Sequence, residues 1–157
     1  MKVYFAHPSF TDSQRTFKER FLTKLRPFLA TTQITLIDPF EHIPIIEGDP
    51  ERTLTMAEDI MIECLKLLEG CDVVMALVDD NDTGTAFEIG YAHAVGKPII
   101  LISETTCAPA NAMLIGAAKV TIDTVLDDMQ MNKLVRIVEW FEATISKYPG
   151  KSWDSSM

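Results

Sequence analysis

The chain has 157 residues, of which 47% are hydrophobic and 24% charged, and its formal net charge at pH 7 is −9. This length suits one domain, and no apolar run approaches the ~20 residues that a membrane helix needs. A surface this acidic repels phosphate backbones, which argues against nucleic acid as a partner. Cys64, Cys71 and Cys107 lack metal-ligand spacing and are typical of reduced thiols in a cytoplasmic protein. The sequence therefore indicates no metal, no nucleic acid and no membrane partner.

The first half of the sequence predicts two strands and two helices. Val3–Ala6 is a short apolar strand, and Thr11–Gln14 offers N-caps for a helix whose apolar residues recur at helical spacing. Ile34–Ile37 is rich in β-branched residues and predicts the second strand, before a loop at Pro39–Pro50 that holds three prolines and a glycine. The second helix follows this loop and ends at Gly70. Its buried face is marked by Ile60, Cys64, Leu65 and Leu68.

The second half predicts three more strands and three more helices. Asp72–Val78 is almost wholly apolar, as in a strand buried on both faces, and a polar loop at Asp79–Gly84 follows it. A helix over about Thr85–Val95 and a short helix near Asn111–Ala117 flank another buried strand at Pro98–Ile102. The fifth strand and the apolar face of the last helix are predicted at Val120–Ile122 and at Leu134, Ile137, Trp140, Phe141 and Ile145.

The alternation of strands and helices predicts the fold class. We expect an α/β, single-domain, Rossmann or flavodoxin-like three-layer fold over residues 1–148, with a five-stranded parallel sheet between two helix layers. Residues 149–157 are predicted to form a polar C-terminal tail. Ligands of such folds bind beyond the carboxyl ends of the strands. The site is therefore expected among the loops His7–Gln14, Pro39–Pro50, Asp79–Gly84 and Ser103–Asn111.

The segment after the third strand holds the residues best suited to catalysis. Glu88 is predicted in the first turn of a helix, where free N–H groups and the helix dipole favour an ionised carboxylate. Such a carboxylate suits attack on an oxocarbenium-like sugar carbon, and Gly84 and Gly90 would let backbone approach a ligand or a neighbouring strand. The same pattern also fits a capping box, with Thr85 as N-cap and Glu88 returning to its N–H. Asp82 equally suits a cap or a turn.

Three segments, in order across about residues 3–122, carry a family signature. They are Val3–Asp12, Asp82–Ala92 with Gly96–Pro98 behind it, and Asn111–Leu114. Together they resemble the nucleoside 2-deoxyribosyltransferases. The resemblance implies a cofactor-free pentosyltransferase of nucleoside salvage that acts on 2′-deoxynucleosides and free nucleobases. It also implies a homo-oligomer, commonly a hexamer built from dimers.

The resemblance assigns roles to individual residues. It implies that Glu88 attacks C1′ of a 2′-deoxynucleoside, that a covalent deoxyribosyl-enzyme forms, and that a second base then attacks C1′. It implies that Asp82 contacts the base and assists its protonation, and that Tyr4 orients Glu88. Phe10 matches an aromatic residue near the base, and Gly84 belongs to the matched substrate-binding loop. Taken alone, Tyr4 is also compatible with an ordinary strand aromatic and Phe10 with a core residue.

A role in a neighbouring site is implied for the segment that begins at Asn111. The matching asparagine of the family reaches the active site of another subunit and holds the sugar 5′-hydroxyl, and Met113 would line the same pocket. Without the family, Asn111 is interpreted as a helix cap.

Two positions depart from the family pattern. Members often have Asp or Asn where this chain has Cys64, and a thiol is a weak hydrogen-bond donor. Base recognition therefore differs, with Glu63 or Asp59 as candidate substitutes, or Cys64 is simply a small buried hydrophobe. In the second loop, Glu41 or His42 is a candidate for reading the base edge, although a lone loop histidine is usually solvated.

Rival functions remain open at this point. The stretch Ala112–Ala118 resembles the sister family of 2′-deoxynucleoside 5′-monophosphate N-glycosidases, which use water as the acceptor. A 5′-phosphate needs serines, backbone N–H groups or arginine, whereas His7–Asp12 holds no arginine and Asn111 stands where a phosphate-binding serine would be expected. The transferase is therefore preferred. A non-catalytic nucleoside-binding sensor or a purely structural domain is also compatible with the scaffold.

Overall fold

The computed structural model describes residues 1–43, 50–107 and 110–148, without the side chains of Pro50 and Thr53. Half of the predicted loop at Pro39–Pro50, residues 44–49, and the whole predicted tail at 149–157 lie outside the described residues. A 3-10 helix spans Pro39–Glu41. The strands and α-helices alternate as β1 Lys2–Ala6, α1 Asp12–Leu29, β2 Thr35–Ile37, α2 Pro50–Glu69, β3 Val73–Leu77, α3 Thr83–Ala94, β4 Ile99–Ile102, α4 Ala112–Ala117, β5 Val120–Ile122 and α5 Asp128–Lys147.

The sheet has the predicted parallel arrangement. Its strand order is β2-β1-β3-β4-β5, and all four neighbouring pairs are parallel. The chain moves outward from β1 to β2, then returns to place β3 on the other side of β1. Such a reversal in strand order opens a crevice at the carboxyl ends of the strands. The five-stranded α/β fold is confirmed, and its crevice lies beyond β1 and β3.

Each face of the sheet packs against its own set of helices. On one face, Val3 and Phe5 belong to a core cluster completed by α1 and α5. On the other face, Tyr4 and Ala6 belong to a cluster with residues of α2 and α3, including Ile89. Because successive strand residues point to opposite faces, Tyr4 is directed at the α2–α3 layer.

Within residues 1–43, 50–107 and 110–148, no helix combines the length and the hydrophobicity that crossing a membrane requires.

Two predicted contacts are wrong. Trp140 was expected on the buried face of α5, but it is 56% exposed. The buried stripe runs through Leu134, Val138 and Phe141, and Trp140 precedes Phe141 by one residue, about 100° around the helix. Gly90 was expected to let backbone approach a ligand or a neighbouring strand, yet a Cβ there would meet no atom of this chain within 4 Å, so no strand makes that approach.

Candidate active site

A tyrosine and a glutamate meet at the centre of the candidate site. Tyr4 on β1 is fully buried, and its hydroxyl donates a hydrogen bond of 2.5 Å to Oε1 of Glu88. Glu88 is partly buried and lies in the second turn of α3, which begins at Thr83. Strand alternation directs Tyr4 toward this helix layer, so the two side chains converge from different elements.

The start of α3 differs from the prediction. Asp82 is the N-cap, and its Oδ2 accepts a hydrogen bond of 2.7 Å from the N–H of Thr85. The predicted capping box of Thr85 and Glu88 is therefore wrong, because Asp82 already satisfies that end of the helix and Glu88 bonds to Tyr4 instead. A Cβ at Gly84 would lie 3.2 Å from Oδ2 of Asp82. Glycine at this position leaves room for the capping carboxylate.

Burial controls the ionisation of Glu88. It raises the pKa of Glu88 to about 7, the hydrogen bond from Tyr4 opposes the rise, and the charge of Asp82 adds to it. The predicted stabilisation by the helix dipole does not operate, since that effect falls off after the first turn. Burial and the neighbouring Glu88 also raise the pKa of Tyr4. Tyr4 therefore stays a hydrogen-bond donor while Glu88 exchanges its proton near neutral pH.

Cys64 lies beside this pair. It is a free, partly buried thiol on α2; burial and then the charge of Glu88 raise its pKa, while a hydrogen bond with Tyr4 lowers it. Cys64 is therefore a neutral thiol beside Tyr4 and Glu88. Glu63, one of the suggested substitutes, forms an exposed ion pair with Lys66 at 2.7 Å, and Asp59 is exposed.

The loops after β1 and β2 present aromatic side chains at the same edge of the sheet. Phe10 is 53% exposed, so the interpretation as a core residue is wrong. Its ring packs edge-to-face against Phe40, with 5.8 Å between the ring centroids. Glu41 and His42 are exposed at the end of the 3-10 helix.

Asn111 and Met113 lie at the start of α4. The Asn111 side chain caps this helix by accepting a hydrogen bond of 2.8 Å from the N–H of Met113, which confirms its interpretation as a cap. Met113 is 80% exposed. Both side chains thus face outward from their own chain, and α4 packs against α3.

A buried ionic network under the aromatic loops escaped the sequence interpretation. Nε2 of His7 lies 3.1 Å from Oδ1 of Asp38, and Nζ of Lys18 lies 3.2 Å from Oδ2. Burial acts to raise the pKa of Asp38, but His7 and Lys18 together lower it. The sequence could have predicted this contact between His7 and Asp38. His7 directly follows β1, Asp38 directly follows β2, and the carboxyl ends of neighbouring parallel strands lie side by side.

The acidic loop after β3 is hydrogen-bonded to the loop after β4. Asp79 accepts hydrogen bonds from the hydroxyl of Ser103 at 2.7 Å and from the N–H of Glu104 at 2.8 Å. This carboxylate therefore joins the loops after β3 and β4. In the part of the chain that the structure describes, no group of three or more His, Cys, Asp or Glu side chains is arranged to hold a metal ion.

Comparison with known proteins shows which family the chain and its fold resemble. A family model described as nucleoside 2-deoxyribosyltransferase matches residues 3–132. The structure resembles that of a 2-deoxyribosyltransferase from Bacillus psychrosaccharolyticus, with a TM-score of 0.65 and 25% identity over 83% of this chain and 90% of that one. No curated protein sequence matches the chain.

Two more distant structures share the fold. A conserved protein from Enterococcus faecalis has a TM-score of 0.64 and 19% identity over 89% of this chain and 98% of that one. A CMP N-glycosidase from Clostridium botulinum has a TM-score of 0.50 and 19% identity over 89% of this chain and 99% of that one.

Proposed function

The chain belongs to the nucleoside 2-deoxyribosyltransferase family, and we propose that it transfers 2-deoxyribose between nucleobases through a covalent intermediate on Glu88. The observation that carries this proposal is the hydrogen bond from the buried Tyr4 hydroxyl to Oε1 of Glu88. It fixes one carboxylate oxygen and leaves the other available for attack. A pKa of about 7 makes Glu88 more basic than an ordinary carboxylate and still ionised in part at neutral pH.

In the first step, an oxygen of Glu88 forms a bond to C1′ as the C1′–N bond to the base breaks. The electron pair of that bond leaves on the base nitrogen, which takes up a proton. The proton comes from solvent, and Asp82 is the candidate for relaying it to the base because its carboxylate lies close enough to Glu88 for its charge to act there and a positioned carboxyl group can transfer a proton in the transition state. The products are a deoxyribosyl ester of Glu88 and a free base.

In the second step, a nitrogen of the acceptor base attacks C1′ and the ester oxygen leaves as the Glu88 carboxylate. The acceptor nitrogen loses its proton, and a new nucleoside is released. Two inversions at C1′ restore the original configuration. Tyr4 donates to the carboxylate in the free enzyme and stabilises it again when it is the leaving group.

The covalent step is tested by intact mass spectrometry after incubation with deoxyadenosine. We expect a mass increase of one deoxyribosyl unit, which disappears when a second base such as hypoxanthine is added. Glu88→Gln keeps the shape of the side chain but removes the nucleophile, so it should form no adduct while retaining its fold by circular dichroism. An adduct on Glu88→Gln would exclude Glu88 as the nucleophile.

We also propose that Asn111 completes the site of a neighbouring subunit in a homo-oligomer. Asn111 and Met113 are exposed on their own chain, and Phe87, one turn along α3 from the Asp82 cap, is 52% exposed. Exposed apolar side chains next to the candidate site favour an interface there. The role proposed for Asn111, contact with the sugar 5′-hydroxyl, comes from the family resemblance.

Subunit mixing tests this arrangement. Glu88→Ala and Asn111→Ala should each be inactive as pure oligomers. In a mixed dimer, one of the two sites would combine an intact Glu88 with an intact Asn111 from the other chain, so mixing after reversible dissociation should restore activity. If no activity returns, although native mass spectrometry shows mixed oligomers, Asn111 acts within its own chain.

The alternative acceptor is water, as in an N-glycosidase of 5′-monophosphates. Arg15 follows the loop after β1 in the sequence, but its guanidinium donates hydrogen bonds to the carbonyl oxygens of Ser9 and Phe10 and to the carboxylate of Asp12. A dianionic phosphate therefore lacks an available arginine in this loop, and we prefer the unphosphorylated nucleoside. Release of deoxyribose 5-phosphate from dCMP, without exchange between nucleosides, would reverse that preference.

A further inference from the structure

The loop after β3, residues 78–82, is held on two sides by consecutive aspartates. Asp79 accepts hydrogen bonds from the hydroxyl of Ser103 at 2.7 Å and from the N–H of Glu104 at 2.8 Å, both in the loop after β4. Asp80 contacts α1 instead, where its Oδ2 accepts a hydrogen bond of 2.9 Å from Nε2 of Gln14. The loop is therefore tied to two different parts of the chain before α3 begins.

Gln14 joins this loop to the one after β1. Its Oε1 accepts hydrogen bonds from the N–H of Phe10 at 2.9 Å and from the N–H of Thr11 at 3.0 Å, while its Nε2 donates to Asp80. An amide can do both, because one end accepts and the other donates. β1 and β3 are neighbours at the point where the strand order reverses. The contact between Gln14 and Asp80 therefore spans the crevice beyond these two strands.

The residue that this contact best controls is Asp82. It lies two positions after Asp80, and Asn81 between them has a positive φ of 49°, which asparagine tolerates better than most residues. The charge of Asp82 acts on Glu88. Tyr4, in contrast, is fully buried where it bonds to Glu88. A displacement of the loop would therefore move Asp82 before it disturbed the buried tyrosine.

We propose that Gln14 is a positioning residue which, through Asp80, fixes the loop that places Asp82 beside the departing base. This inference rests on the proposed function, in which Asp82 relays a proton to the base. Proton transfer in the transition state requires the carboxyl group to lie within hydrogen-bond reach of the base. A displaced Asp82 should therefore slow the departure of a base that must be protonated, and it should not slow a base that needs no proton.

The first test exchanges the polarity of the contact. Gln14→Glu keeps the capping box of α1, since glutamate accepts from the same N–H groups, but it sets a second carboxylate against Asp80. Release of adenine from deoxyadenosine in a single turnover should slow about 2- to 12-fold, the fold-change that corresponds to one net hydrogen bond. Adding Asp80→Asn supplies a new amide donor, so the double variant should return to within twofold of the parent. A double variant as slow as Gln14→Glu overturns the proposal.

A second substrate separates proton relay from general damage to the site. The base of 7-methyl-2′-deoxyguanosine is already cationic, so the electron pair of the broken C1′–N bond neutralises it and no proton is taken up. Release of 7-methylguanine by Gln14→Glu should therefore stay within twofold of the parent rate, although release of adenine slows. An equal loss with both substrates would overturn the link between Gln14 and Asp82.

The matched control is Ser13→Glu, which adds the same charge to the first turn of α1. Ser13 is exposed and lies outside the capping box formed by Thr11 and Gln14. This variant should release adenine at the parent rate, and thermal unfolding should show that it and Gln14→Glu are folded at the assay temperature. An equal loss of rate in Ser13→Glu and Gln14→Glu would mean that the added charge, and not the lost contact, slows the reaction.

Hydrogen exchange in residues 78–85, measured by mass spectrometry, requires no turnover and separates this proposal from the proposed function. If the parent forms no deoxyribosyl adduct, but Gln14→Glu speeds exchange in this segment and Asp80→Asn reverses it, the positioning contact stands and the transfer reaction fails. If the adduct forms, and both exchange and adenine release are the same in Gln14→Glu and the parent, the reaction stands and the positioning role fails.

Discussion

Replacing Tyr4 with phenylalanine tests whether its hydroxyl sets the ionisation of Glu88. The hydrogen bond of 2.5 Å favours the carboxylate, while burial and the charge of Asp82 raise the pKa of Glu88 to about 7. Without the hydroxyl, the last two effects are unopposed and the pKa of Glu88 rises further. A hydrogen bond to a charged group contributes about 1.5–3 kcal/mol, and one pKa unit corresponds to about 1.4 kcal/mol, so the expected rise is roughly one to two units.

This rise has a defined kinetic signature. At pH 7 the ionised fraction of Glu88 falls from about one half to roughly 1–9%, so kcat/KM should fall about 5- to 50-fold. The loss should be recovered at alkaline pH, where Glu88 is ionised again. The measurement is kcat/KM for base exchange between pH 5 and pH 10, whose acid limb reports the pKa of the free enzyme. An acid limb that stays in place, with a uniform loss at every pH, would refute the reasoning.

Asp82→Asn is a control in which the pKa of Glu88 should move in the opposite direction. Asparagine caps a helix as well as aspartate does, so the hydrogen bond to the Thr85 N–H can be kept. The negative charge that raises the pKa of Glu88 is lost. The acid limb should therefore move to lower pH in Asp82→Asn and to higher pH in Tyr4→Phe. Movement in the same direction in both variants would show that the limb does not report Glu88.

Three further outcomes are expected. The pKa of Glu88 is about 7 in the folded protein, whereas its ordinary value is 4.5. The stability contributed by the protonated form is therefore complete below pH 4.5 and is lost as the pH rises through 7. Because Glu88→Gln has no charge to bury, it should be more stable than the parent by up to about 3 kcal/mol at pH 8. Urea unfolding at pH 8 and pH 4 checks this, and an equal gain at both values contradicts it. Methyl methanethiosulfonate at pH 9 should label Cys64 before the other two cysteines, because Cys71 and Cys107 are buried and burial raises their pKa to about 11 and about 12. This labelling should inactivate the enzyme, and deoxyadenosine should protect against it. Loss of activity in Cys64→Ser under the same treatment would place the sensitive group elsewhere. Asn111→Ser keeps a cap on α4 and should leave the melting temperature unchanged while raising KM, and an unchanged KM would remove Asn111 from the site.

The fold was predictable because its signals are local. β3 is apolar throughout and is buried along its whole length, as expected for a strand inside a parallel sheet. The cap of α1 was also readable, since Thr11 and Gln14 form a capping box. The start of α3 was placed two residues late because Asp82 and Thr85 are both good N-caps, and only the packing of Glu88 against Tyr4 decides between them.

The candidate site was less predictable because its contacts are long-range. The sequence singled out Glu88 as a candidate, but it did not predict the raised pKa of its carboxyl group. Periodicity indicated a helix terminus, whereas the pKa depends on burial beneath Tyr4, which is 84 positions away in the sequence. The contact between Nε2 of His7 and Oδ1 of Asp38 similarly joins two loops, and neither residue is distinctive by itself.

The departure at Cys64 is consistent with a partly buried Glu88 that is still ionised in part at neutral pH. Glu88 already has one acidic neighbour, Asp82, which raises its pKa, and a second carboxylate at position 64 would raise it further by like-charge repulsion. A thiol whose own pKa is raised by burial adds no charge at neutral pH. It keeps contact with Tyr4 while leaving Glu88 ionised in part at pH 7. A neutral thiol at position 64 therefore leaves the pKa of Glu88 to burial, the Tyr4 hydrogen bond and the charge of Asp82. Under the proposed function, Asp82 is then the candidate for passing a proton to the departing base.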